Sequence, residues 1–215
     1  MTANPLLAPA TATALPAFDA IRPEHIGPAV DDWLAQASAA LEDVVAPDFP
    51  ADWQALARRL DVATERFSRG WGAVGHLNAV ADSPELRAAY NEALPKVTAF
   101  WTRLGADERL YGKYKAIDAG ALNAAQRQAL ANARRNFVLS GADLQGEAKA
   151  RFAAIQERQA ELAQKFSENV LDATDQWSTL VSAEEVQGMP ADALAAARAA
   201  AEADGHPGLY KLTLK

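Results

Sequence analysis

Histidine is the side chain that most often ligates metals and moves protons near neutral pH, and this chain has three, His25, His76 and His206. A helical zinc-peptidase site needs H-E-x-x-H, which places two imidazoles on one helix face with a glutamate between them. His76 is followed by Leu77, Asn78, Ala79 and Val80, while His25 opens "HIGPA" and His206 opens "HPGLY". None has the second ligand, so all three are expected to be structural, His76 as a helix-end cap or a core hydrogen-bonding group. Cysteine is absent, which excludes disulfides and thiolate metal ligands.

The carboxylates are read the same way. Asp31-Asp32, Glu42-Asp43 and Glu184-Glu185 are adjacent pairs, and adjacent helical residues do not face one another. Glu157 and Glu161 share a face but stand among Arg151, Arg158 and Lys165, the pattern of a solvated helix surface. No G-x-S-x-G nucleophile elbow occurs, and "LSGAD" (139–143) reads as a helix stop. "RGWGAVG" (69–75) has glycines but neither the lysine nor the preceding strand of a phosphate loop. The five tryptophans fall mostly at core-facing helical spacings, so packing is expected, with a peptide or ligand groove as the alternative.

Elements that would position these residues follow from periodicity. Residues 1–22 carry Pro5, Pro9 and Pro16 and predict an extended N-terminal arm, held to the body by Leu6, Leu7, Leu15 and Phe18. From Pro23, Ile26, Val30, Trp33, Leu34, Ala37, Leu41 and Val44 recur at steps of three and four, one face of a helix. Pro28 is expected to delay its regular part. A second helix runs from Trp53 to about Val80, with Gly70, Gly72 and Gly75 marking a kink or a closely packed backbone. "DSPELR" (82–87) signals a third helix capped by Ser83, with Pro84 in its first position. A short helix over 107–117 follows, then one capped by Asn123 with Gln126 three residues on. The longest, Glu147 to about Leu171, has Phe152, Ile155, Gln159, Leu162, Phe166 and Asn169 at seam spacing, which predicts packing within a bundle. "QWSTLVS" (176–182) and "GLYKLTLK" (208–215) have strand character around a helix in 188–205.

The predicted fold is therefore all-α: a multi-helix bundle of about six to eight helices, with short strand segments near the C-terminus. Its expected divisions are an arm (1–22), a helical bundle (23–175), and a region of short strands and helix (176–215). The 215 residues are half apolar and carry a net charge of −7. Such an acidic surface disfavours nucleic acid as a partner. The first residues have no basic region and no long apolar core, so no signal peptide is expected. Nothing approaches a membrane span, and a cytoplasmic location is expected.

"HLNAVADSPELRAAYNEALP" (76–95) resembles the N-terminal region of the bacterial oligopeptidase A-type members of the thimet oligopeptidase (M3) family of zinc metallopeptidases. "IRPEHIGPAV" (21–30), "LNAAQRQALANARRNFVLSGADL" (122–144), "FSENVLDATDQW" (166–177), "GMPADALAAA" (188–197) and "LYKLTL" (209–214) continue the likeness in order. The resemblance implies a helical enzyme of two lobes around a channel that admits short peptides. The zinc motif and a third, glutamate ligand would lie in the catalytic lobe, beyond position 215. No catalytic, cofactor-binding or metal residue is thus carried over. Zinc is expected in the full-length parent and not in this chain, which alone is expected to be inactive. Expected partners are the catalytic C-terminal lobe of the same polypeptide and short peptide substrates, and exposed strand edges are expected to pair two copies of the fragment. The alternative is a stand-alone helical module that binds peptides or a partner without catalysis.

Overall fold

Regular helix begins where the proline-rich arm ends. The computed structural model describes residues 4–8 and 15–214, and shows an all-α fold with one small antiparallel sheet near the C-terminus. Helix α1 (Pro23–Val45) is the spine, burying Ile26, Ala29, Val30, Trp33, Ala37, Ala40, Leu41 and Val44 along one face. It runs unbroken through Pro28, contrary to expectation. The residue before that proline is Gly27, which has no Cβ to clash with the ring, and the carbonyl Pro28 leaves without a donor belongs to exposed Glu24, within reach of water.

After a turn, the Asp52 side chain accepts from the Ala55 N–H (2.8 Å) and starts α2 (Trp53–Leu56). A π-helical turn (Ala57–Asp61) leads into α3 (Val62–Val80). The irregularity thus lies upstream of the glycines. The π-turn falls where the rod changes cores: Leu56 and Leu60 enter one apolar cluster, Phe67 and Val74 the other. Of the three glycines only Gly70 has a close neighbour, and that neighbour is the Trp33 indole rather than a backbone.

Helix α4 (Pro84–Gly105) starts as its signal predicts, with the Ser83 hydroxyl accepting from the Leu86 N–H, and continues past Pro95. Helix α5 (Glu108–Ala116) is capped by Asp107. Helix α6 (Ala124–Leu139) has the reciprocal box, in which Asn123 accepts from the Gln126 N–H (2.9 Å) and Gln126 accepts from the Asn123 N–H (3.0 Å). It stops at Gly141, whose φ of +87° lies where glycine is favoured. Long side chains then tie loops to helix ends. Arg134 donates to the carbonyls of Tyr114 (3.0 Å), Lys115 (3.1 Å) and Ile117 (3.3 Å), satisfying acceptors that α5 leaves open at its C-terminus.

Two clusters hold these helices. Ile26, Trp33, Phe67, Val74, Val97 and Phe100 lead the first; Leu41, Val44, Leu56, Leu60, Leu110 and Leu130 lead the second. Burying each such aliphatic or aromatic side chain stabilises by roughly 1.5–3 kcal/mol before entropy is counted. Leu6 and Leu7 of the arm pack on the first cluster, while Leu15 is 88% exposed. Pro9 lies outside the described residues.

Helix α7 (Gly146–Gln176) departs from expectation. None of its residues is buried, where its seam spacing predicts packing. The chain divides into two units, residues 1–160 and 161–215, with the boundary inside α7. In the second unit β1 (Ser178–Val181) pairs antiparallel with β2 (Tyr210–Thr213), Ser178 opposite Thr213 and Val181 opposite Tyr210. Helix α8 (Ala191–Ala203) buries Ala197 and Ala201, and Lys211 on β2 pairs with Asp204. A two-stranded ribbon alone is marginal in water; α8 packs on β2.

Candidate functional site

The histidines are dispersed over separate structural tasks. The Arg22 backbone N–H donates to His25 Nδ1 (3.0 Å), and the Asn4 amide donates to the His25 carbonyl (2.8 Å), so His25 organises the start of α1. His76 is exposed inside α3, neither ending the helix nor reaching the core; its ring packs on Phe18, with centroids 5.3 Å apart, and pins the arm. His206 follows α8, where its N–H donates to the Ala201 carbonyl (2.9 Å). Among the described residues no three of His, Cys, Asp or Glu come together as metal ligands. The described side chains do not fit a zinc centre.

The adjacent carboxylates also have structural partners. Asp31 pairs with Lys96 (2.8 Å), Asp32 accepts from Gln36 (2.6 Å), and Asp43 pairs with Arg59. Glu185 accepts from the Ser182 N–H (2.8 Å). Glu42 anchors a network that joins α1, α4 and α5. It meets Arg109 (2.9 Å) and Arg103 (3.3 Å), and Arg109 also meets Asp107 (2.8 Å). The Arg109 hydrogen bond holds the Glu42 carboxyl below its usual range. Beside the network is a groove of about 430 Å³ lined in part by Glu108, Lys149 and Phe152. Lys149 closes on Glu108 (2.7 Å) in this groove, cation against anion. The network is a clamp on helix geometry, in which arginine and backbone N–H donors hold the Glu42 and Asp107 carboxyls below their usual range.

Tryptophans serve packing, as their spacing predicts. Trp33 is buried under Gly70, Trp71 stacks on Tyr90 with centroids 4.6 Å apart, and Trp101 stacks on Phe67 at 5.5 Å. Trp177 is the exception and is 45% exposed. It lies in the second unit, which exposes other large apolar side chains as well. Leu162, Phe166 and Val170 on α7 recur every four residues and are all exposed, Phe166 by 70%. Contiguous apolar surface of this kind marks an interaction face in soluble proteins. The seam spacing of α7 makes its apolar face legible in the sequence, and the exposure of Leu162, Phe166 and Val170 is not.

One further residue carries no sequence signal at all. Asp61 ends the π-turn, and its carboxylate takes no hydrogen bond or ion pair among the described residues. It lines a cleft of about 380 Å³ together with Thr64, Trp101, Tyr114, Asn136 and Phe137. Partial burial pushes the Asp61 carboxyl up, although the residue as a whole is exposed to solvent. Tyr114 deeper in is pushed up to about 12 by burial, with the Asp61 charge adding to the effect.

Comparison with known proteins gives a consistent pattern. Residues 30–149 match the family described as neurolysin/thimet oligopeptidase, N-terminal domain. The chain is 45% identical to oligopeptidase A of Salmonella typhimurium and 44% identical to that of Escherichia coli, in each case over 98% of its own length and 31% of the relative's. It is 35% identical to a probable cytosolic oligopeptidase A of Arabidopsis thaliana, over 96% of its length and 30% of the relative's. The chain therefore spans about a third of the length of the curated relatives it matches.

Proposed function

The chain belongs to the neurolysin/thimet oligopeptidase family, and from that membership we propose that it is the N-terminal, non-catalytic helical lobe of an oligopeptidase A-like zinc metalloendopeptidase. The observation that carries the reading is the coverage: nearly all of this chain aligns with under a third of each relative. The remainder of such a polypeptide supplies the zinc ligands and the water-activating glutamate. This lobe forms one wall of the channel in which short peptides are cut. Its arm (1–22) and bundle (23–175) are the scaffold, and residues 176–215 begin the next region of the parent enzyme. The catalytic lobe covers the exposed apolar face of α7, which accounts for hydrophobic side chains left in solvent. Among the described residues no helix is long and apolar enough to cross a membrane, in keeping with a cytoplasmic enzyme.

The test compares two polypeptides from one gene. The 215-residue chain, purified with zinc, is expected to hold no stoichiometric metal and to leave a fluorogenic short peptide intact. The reading frame extended past Lys215 is expected to encode H-E-x-x-H, and its product to bind zinc and cleave the same peptide. Cleavage with tightly held zinc by the 215-residue chain alone would overturn the assignment, as would an extended frame without the motif.

A further inference from the structure

We propose that the cleft where the π-turn meets α4, α5 and α6 binds the basic side chain of a peptide, an ammonium or guanidinium on an aliphatic stem, with Asp61 as the counter-charge. The cleft lies wholly within the first unit. Its volume of about 380 Å³ falls within the range of roughly 300–1,000 Å³ typical of small-molecule sites.

Three features select a cation over other occupants. First, the walls are aromatic. Trp101, Tyr114 and Phe137 line the cleft, Trp101 also stacked on Phe67 and Phe137 in ring contact with Tyr111 and Tyr114, and aromatic surface attracts cations while packing well on methylene stems. The same region already uses this chemistry, since the Lys115 ammonium lies 4.2 Å from the centroid of the Tyr111 ring. Second, the charge is uncompensated. Every acidic residue of the Glu42 network has an arginine, and Asp31, Asp43 and Asp82 each have a basic partner, whereas the Asp61 carboxylate has none among the described residues. Because Asp61 is exposed, a cation would gain its attraction, a neutral apolar ligand would gain nothing from it, and an anion would be repelled. Third, the nearby Thr64 hydroxyl is already committed. It donates to the Leu60 carbonyl (3.0 Å) inside the widened turn, so it does not donate to the carboxylate in place of a ligand.

The test uses Nα-acetyl-lysinamide and its uncharged isostere Nα-acetyl-norleucinamide, titrated into the ¹⁵N-labelled chain, with the Trp101 indole signal identified by a Trp101→Phe variant. Lysinamide is expected to move the Trp101 signal, with norleucinamide weaker by roughly two- to fivefold, the size expected for one exposed charge pair. Asp61→Asn is expected to weaken lysinamide by a similar factor, and Asp61→Glu, which keeps the charge, to restore most of it. Tyr114→Phe, which keeps the ring, is expected to bind as the parent does. Equal shifts from the two amides would overturn the proposal. So would lysinamide binding that Asp61→Asn leaves unchanged, or shifts confined to residues outside the cleft.

Discussion

Gly70 and Gly72 stand two residues apart in α3 and face opposite surroundings. A Cβ built on Gly70 would lie 2.2 Å from a Trp33 ring carbon, while one on Gly72 meets nothing within 4 Å. Gly70→Ala is therefore expected to destabilise the chain by about 1–3 kcal/mol, because a rigid, fully buried indole cannot yield without displacing the core. Gly72→Ala is expected to stabilise by about 0.5–1 kcal/mol through helix propensity and a less flexible unfolded chain. Urea denaturation midpoints of the two variants check both signs, and a loss at Gly72 would show that the helix there is not as described. From sequence the three glycines of α3 are alike, since composition records a missing side chain and not the atom that would collide with it.

At the scale of elements, helix starts were legible and helix irregularities were not. Ser83-Pro84 and Asn123 with Gln126 form the caps that their spacing predicts, because a cap is made by residues three apart in the chain. Asp107 is another such cap, accepting from the N–H groups of Arg109 (2.9 Å) and Leu110 (3.1 Å). Burial pushes its carboxyl up, but the Arg109 guanidinium and these two N–H donors outweigh burial, and the net direction is down. A carboxyl held down in the folded state contributes stability above its unfolded value, near 3.9, and loses it as pH falls through the lower folded value. Asp107→Asn keeps the cap acceptor and removes the charge. It is expected to be less stable than the parent at pH 7, with the gap closing as pH is lowered below about 4. Melting temperatures from pH 2.5 to 7 read this directly, and a gap independent of pH would remove the charge from the explanation. The π-turn had no comparable signal. It lies where one rod serves two clusters, a requirement set by α1, α4 and α5 rather than by residues 57–61.

At the scale of the molecule, the exposed face of α7 has the largest consequence. Phe166→Asp is expected to change the stability of the isolated chain by no more than about 0.5 kcal/mol, the usual range for exposed positions. The same substitution in the extended polypeptide is expected to cost several times more, because a charge would then be buried against the covering lobe. Paired denaturation measurements test this, and equal effects in both polypeptides would mean that nothing covers Phe166. The sequence by itself determined the helical class, most helix starts, the two strands near the C-terminus and the family likeness, because these depend on residues near one another along the chain. Only the tertiary structure decided that Gly70 makes room for Trp33, that α7 buries none of its residues, and that Asp61 shares a cleft with aromatic rings from three other helices. Those relations join residues dozens of positions apart, and side-chain periodicity states which face is apolar without stating what will meet it.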